Sequence, residues 1–269
     1  MANILDKIIA DKRGEVEKLK TIVPIEQLID KAQSLEKCRN FHKAVTKKNA
    51  RGINVIAEVK KASPSAGLIR ADFDPVQIAM TYEKCGADAI SVLTDEKYFQ
   101  GRLEYLTQVK AAVSLPVLRK DFIIDEYQIY ESRAAGADAI LLIAEAFGKT
   151  DGRIIDLMIL AAELTMTILL EVHSTESLLA VRSLIGFPKA HYSVFGINNR
   201  NLATMEVDLN TTFRLAELAG KQDGLVAESG IKTRADVDKL KAAGVRAVLI
   251  GQTLCENQDI KAKFTELFG

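Results

Sequence analysis

A six-residue segment that returns along the chain narrows the possible folds more than any other feature. Cys85-Gly86-Ala87-Asp88-Ala89-Ile90 recurs as Ala135-Gly136-Ala137-Asp138-Ala139-Ile140 and, loosely, as Ala243-Gly244-Val245-Arg246-Ala247-Val248. Each copy stands where a helical pattern ends and a short β-rich run begins. The separations, about 50 and about 108 residues, are close to two and four units of about 26, the size of one strand–helix unit. Gly86, Gly136 and Gly244 suit the left-handed residue that ends a helix.

Between and beyond the copies, apolar runs alternate with helical stretches. The spacing predicts strands at 53–59, 88–93, 116–120, 138–143, 167–172, 193–198, 224–228 and 246–250. It predicts helices at 75–85, 102–113, 125–135, 153–164, 174–183, 210–219, 233–243 and 256–267. Asp74 before Pro75, Ser174 three residues before Ser177, and Thr233 three before Asp236 read as helix starts. Eight such units point to the α/β class and a closed (β/α)8, or TIM, barrel over residues 51–269, a single domain. The open doubly wound sheet is the alternative. It calls for a G-x-G-x-x-G turn after its first strand, and the chain has none there.

Residues 1–50 contain no strand signal. Ile4, Leu5, Ile8, Ile9, Val16 and Leu19 share one side of a helical wheel, and Pro24 is expected to begin a second helix through Leu28, Ile29, Ala32 and Leu35. About 50 residues are marginal for an independent core, so the segment is expected to pack on the barrel as an N-terminal helical extension.

With 36 basic and 36 acidic side chains the formal net charge is zero, so no global field attracts nucleic acid or an anionic membrane. No apolar run approaches the roughly 20 residues that span a bilayer. Asp6, Asp11, Glu15 and Glu17 among the first lysines are unlike a signal or transit peptide. Cys38, Cys85 and Cys255 show neither disulfide nor zinc spacing and read as reduced thiols of a cytoplasmic protein.

Charged and amide residues stand where the apolar strands end. Ile56-Ala57 runs into Glu58 and Lys60, Val117-Leu118 into Lys120, Leu169-Leu170 into Glu171, Gly196-Ile197 into Asn198, and Val226-Ala227 into Glu228. Desolvating an unpaired ion costs several kcal/mol or forces it to neutralise, so five such tips suggest convergence on a site. In parallel barrels that end carries the chemistry. Residues two apart share a face: if Leu118 and Leu169 fill the interior, Lys120 and Glu171 rise into the mouth and Arg119 faces the helices or the rim. Opposite charges gathered there would hold one another ionised and oriented, and could move pKa values toward working pH. A salt-bridge network that merely closes the barrel is the other reading. Ser229-Gly230 and Gly251-Gln252, after strands seven and eight, suggest an anion site made of backbone N–H groups.

The residues reached so far resemble the indole-3-glycerol-phosphate synthase family of tryptophan biosynthesis. The similar stretches are 56–65, 91–101, 116–122, 170–173, 196–202 and 227–231, in order along the whole barrel. The resemblance implies a carboxy-lyase acting on 1-(2-carboxyphenylamino)-1-deoxyribulose 5-phosphate, a small-molecule substrate, without metal or organic cofactor. It implies Lys120 as general acid, Lys60 as a second lysine for the carboxylate or phosphate, and Glu171 as general base. Glu58 and Glu228 match carboxylates that orient the lysines and hold substrate hydroxyls, and Asn198 serves the same region. Arg200 is expected on the anthranilate carboxylate. Ser63, Ser229, Gly230, Gly251 and the backbone of Gln252 are expected around the phosphate, and Phe99, Phe122 and Leu202 around the aromatic ring. His173 faces the same way as Glu171, but the motif assigns it no role, and it reads as a solvated loop histidine. Two rival functions remain: Schiff-base aldolase chemistry at Lys120, and a phosphate-binding barrel without catalysis.

Overall fold

The computed structural model describes residues 4–148, 152–220 and 224–269. Eight parallel strands close into a barrel: β1 Asn54–Val59, β2 Ala89–Leu93, β3 Val117–Lys120, β4 Ala139–Ile143, β5 Thr167–Val172, β6 Ser193–Asn198, β7 Leu225–Glu228 and β8 Ala247–Ile250. Each strand pairs with its sequence neighbours. Closure comes at β1, where Ile56 stands opposite Ala89 of β2 on one side and Leu249 of β8 on the other. The expected strands agree with these to within a residue at either end.

Strands buried on both faces hide their alternation in the sequence, and the packing reveals it. Ile56, Leu118, Leu141, Leu169, Val194, Val226 and Leu249 fill the barrel interior. Their strand neighbours Val55, Ala57, Val117, Leu142, Leu170, Phe195, Ala227 and Ile250 pack outward against the helices. The interior face is therefore the one that continues through Glu58, Lys120, Glu171 and Glu228. Arg119, one residue out of phase, turns toward the outer helix Glu126–Ala134, where it meets Glu131 at 2.7 Å and, on the adjoining loop, Asp121 at 3.1 Å.

The recurring segment acquires a physical reason at the opposite, N-terminal end of the barrel. Gly86, Gly136 and Gly244 have φ of 90°, 95° and 83°, which glycine adopts without cost. Each aspartate that follows bonds the strand before it: Asp88 accepts from Val55 N at 2.9 Å and Asp138 from Val117 N at 2.8 Å. Arg51 and Lys47 neutralise Asp88, and Lys110 neutralises Asp138. In the loose third copy, Arg246 contributes backbone groups instead of a carboxylate: its carbonyl accepts from Asn54 and its N–H donates to Leu225 O.

The N-terminal segment forms α1 Ile4–Ile22, α2 Ile25–Ser34 and α3 Phe41–Thr46. Pro24 is the residue before α2 rather than its first turn, with an extended ψ of 141°. Phe41 and Val45 of α3 and Leu5 and Ile9 of α1 all join the interior cluster. The former lie at the start of β1, where Asn54 donates to Val45 O at 2.9 Å; the latter lie at the mouth. One segment thus stoppers both ends. α1 is anchored by Lys12, 2% exposed, which meets Asp95 at 3.0 Å and Asp121 at 3.1 Å. The expected helix at 256–267 is two pieces, Gln252–Cys255 and Ile260–Phe268, because Asp259 caps a new start by accepting from Ala262 N. The three start signals cap as expected, with reciprocal capping boxes at Ser174 and Thr233.

Candidate active site

The C-terminal ends of the strands and the loops beyond them enclose a cavity of about 550 Å³, the size of a small-ligand site. All fifteen residues singled out from sequence line it. The charged ones come from separate strands: Glu58 from β1, Lys120 from β3, Glu171 from β5 and Glu228 from β7. Glu58, Glu171 and Glu228 are each almost wholly buried. Lys120 Nζ stands 3.0 Å from Glu171 Oε2 and 3.4 Å from Glu228 Oε2, and Lys60 Nζ stands 2.9 Å from Glu58 Oε1.

Two glycines make room for these carboxylates. Gly196 faces inward on β6 between Glu171 and Glu228, and a Cβ there would lie 2.5 Å from Glu228 Oε1. A Cβ on Gly251 would overlap Glu58 Oε1. Gly251 is therefore needed beneath Glu58, a role the anion-site reading of the sequence did not contain.

Burial is the largest influence on each charge and opposes it. At Lys120 the attraction of Glu171, Glu228 and Glu58 outweighs burial, so the ammonium is held well above the usual lysine range. At Glu171 burial also pushes upward, but Lys120, His173 and a hydrogen bond with Glu228 together bring the carboxyl down to about 2. Glu228 goes the other way: burial and repulsion from Glu171 hold it well above the usual carboxylate range, against the pull of Lys120. Opposite charges at the mouth were expected to hold one another ionised, with pKa values that could move toward working pH. Lys120 and Glu171 do hold each other charged, with both pKa values moving away from neutrality, while Glu228 is pushed the other way because burial and the adjacent Glu171 outweigh its share of Lys120.

Phe99 and Phe122 form an aromatic wall, with ring centroids 6.1 Å apart and Lys60 Nζ 5.5 Å from the Phe99 ring. Leu202, with Leu5 and Ile8 of α1, supplies further apolar lining. The sequence marked Leu5 and Ile8 as the apolar side of a helix, with no signal of what that side would cover. Arg200 is held by Met205 O at 2.9 Å, and its backbone N donates to Asn198 Oδ1. Ser229 and Gly230 take successive left-handed conformations, φ 67° and 79°, a turn that aims adjacent N–H groups into a concavity. Ser63 bonds Ala66 N in the loop after β1, and the Gln252 side chain is engaged by Glu256 at 3.3 Å.

His173 is not solvated. Its side chain is 5% exposed, with Nε2 3.2 Å from Glu171 Oε1 and Nδ1 3.2 Å from Glu145 Oε2. Sequence reasoning missed Glu145 altogether, since it lies outside the matched stretches.

A sequence profile described as "Indole-3-glycerol phosphate synthase" matches residues 5–267. Proteins of that name from Neisseria gonorrhoeae and Rhodopirellula baltica are 48% and 46% identical to the chain, over 100% of both chains in the first case and over 96% of this chain and 95% of the relative in the second. The chain belongs to the indole-3-glycerol phosphate synthase family. Among solved structures, the N-acetylmannosamine-6-phosphate 2-epimerase of Clostridium perfringens superposes with a TM-score of 0.60 at 14% identity, covering 87% of this chain and all of that one. A chain of the Pyrococcus furiosus tryptophan synthase α2β2 complex gives 0.56 at 13%, covering 80% of this chain and 97% of that one. At such identities these two have the barrel fold in common with this chain and no more.

Proposed function

We propose that this protein is a carboxy-lyase that closes the indole ring of 1-(2-carboxyphenylamino)-1-deoxyribulose 5-phosphate, releasing carbon dioxide and water. The observation that carries the reading is the Lys120–Glu171 pair, an ammonium and a carboxylate 3.0 Å apart inside one ligand-sized cavity. Each is held in the protonation state its role requires.

In the first stage the ring carbon that bears the carboxylate attacks the ketone carbon. Lys120 gives its proton to the ketone oxygen as the carbon–carbon bond forms, and the carboxylate then leaves as carbon dioxide. In the second stage the new hydroxyl takes a second proton, from Lys60, and departs as water while Glu171 takes a proton from the ring side, giving the aromatic indole. Each properly placed proton-transfer group is worth about 10²–10⁴-fold. Lys60, steadied by Glu58, and Arg200 bind the anthranilate carboxylate, and Phe99, Phe122 and Leu202 hold the ring. Ser63 with the backbone at Ser229, Gly230, Gly251 and Gln252 takes the phosphate. Asn198 and Glu228 hold the substrate hydroxyls.

Schiff-base chemistry at Lys120 is disfavoured, because a nucleophilic amine must be neutral and three carboxylates hold this one charged. The three free cysteines are consistent with work in the cytoplasm. The test is direct: purified chain is mixed with substrate and indole fluorescence is followed. Folded protein giving no signal refutes the assignment, and a borohydride-trapped adduct at Lys120 would favour the aldolase rival.

A further inference from the structure

Each oxygen of the Glu171 carboxylate has its own partner. Oε2 meets Lys120 at 3.0 Å and Oε1 meets His173 Nε2 at 3.2 Å, and both partners line the cavity. His173 follows β5 immediately, two residues beyond Glu171 and on the same side of the chain. Glu145, on the short turn Ala144–Ala146 after β4, fixes it twice. One Glu145 oxygen accepts from the His173 backbone N at 2.8 Å, and the other stands 3.2 Å from Nδ1. Backbone and ring are thus held by one carboxylate, and the imidazole has little freedom about χ1 or χ2.

A carboxylate attached to one flexible ammonium can rotate, and a base that must meet a particular ring proton cannot afford to. Misplacement by about 1 Å costs on the order of 10²-fold in rate. Resting on the ring-closure reading above, we propose that His173, braced by Glu145, is a positioning residue for the base: it occupies Oε1 so that Oε2 is the oxygen turned to Lys120 and the substrate. His173 also pulls the Glu171 carboxyl downward by Coulomb attraction, after Lys120. The groups facing Glu171 are Lys120 from β3, Glu228 from β7 and His173 just after β5, with Glu58 acting on Lys120 and Glu228. Glu145 and Glu171 face His173.

The test uses the full chain and the variants His173→Ala and His173→Gln. His173→Ala should lower kcat about 10²-fold with KM changed less than about twofold, and should move the acidic limb of the pH–kcat/KM profile upward, since the attraction that helps lower the Glu171 carboxyl is gone. His173→Gln, which restores a neutral donor, should recover part of kcat while leaving the limb displaced. A purely structural role would leave the limb where it is. An active wild type with His173→Ala at wild-type kcat overturns the positioning role alone, whereas an inactive wild type overturns the parent reading. A second readout needs no turnover. The chain has three histidines, so the ring-nitrogen NMR signals of His173 can be assigned and followed in Glu171→Gln. A shifted Nε2 resonance supports the contact, and an unchanged one removes the proposal's basis.

Discussion

Gly196→Ala adds one methyl group to the wall of the barrel at the point where β6 passes between Glu171 and Glu228. The added Cβ would lie 2.5 Å from Glu228 Oε1, 3.0 Å from Leu169 Cδ1 and 3.6 Å from the Glu171 Cα. For an ordinary 3.4 Å contact the Glu228 carboxylate must retreat by about 0.9 Å, and the interior offers no slack. Because Gly196 does not need a left-handed φ, backbone strain is not involved and the effect is one of displacement. A shift of that size at a catalytic carboxylate corresponds to about a 10²-fold loss of kcat/KM, or about 2.7 kcal/mol of transition-state stabilisation. The overpacking itself should cost about 1–3 kcal/mol of stability, at about 2–4 °C in Tm per kcal/mol for a chain of this length, so the barrel stays folded. Gly224→Ala is the control. Its Cβ would also crowd, 3.2 Å from Val194 Cγ1, but at the start of β7, away from the cavity. Steady-state fluorescence kinetics on both, with thermal melts alongside, separates crowding from displacement. The reasoning fails if folded Gly196→Ala turns over at the wild-type rate, or if Gly224→Ala loses as much.

Lys120→Met should cut turnover by about 10² or more while circular dichroism keeps its barrel signature; unaffected turnover would remove Lys120 from the acid role. Glu228→Gln should slow the reaction yet raise Tm at pH 7. Its folded carboxyl holds a proton that the unfolded chain releases near 4.5, so rising pH favours unfolding above that value, and the advantage of the amide should vanish in melts below it. Glu171, depressed to about 2 from 4.5, contributes the opposite way: its stabilisation is complete above about pH 4.5 and is lost as pH falls toward 2, which Glu171→Gln should remove from the acid-unfolding curve. Lys12→Met leaves Asp95 without its buried cation and leaves Asp121 with Arg119 as its remaining cation. It should cost about 3–5 kcal/mol by denaturant titration and raise KM, since α1 carries Leu5 and Ile8 at the mouth; an unchanged KM would show that α1 does not shape the site.

Strand positions were legible because local order encodes them: Gly-Ala-Asp ends a helix and begins a strand, whatever lies elsewhere in the chain. Legible too was the phase of Lys120 and Glu171, because alternation along a strand is a property of the covalent backbone. Less accessible were features that depend on a distant residue. Pro24 promised a helix start and stands just outside it, since its ψ follows the path between two docked helices. His173 read as solvated because nothing nearby in sequence covers it, yet Glu145, 28 positions away, does.

From residue order alone came the eight strand–helix units, the polar tips and the family resemblance, each carried by contacts or patterns within one unit. Tertiary structure decided which carboxyl is pushed up and which is drawn down, why Gly196 and Gly251 are small, and what meets the second oxygen of Glu171. The reason is that electrostatic energy and excluded volume depend on distances across the barrel, between groups such as Glu171 and Glu228, and the closure of the sheet sets those distances.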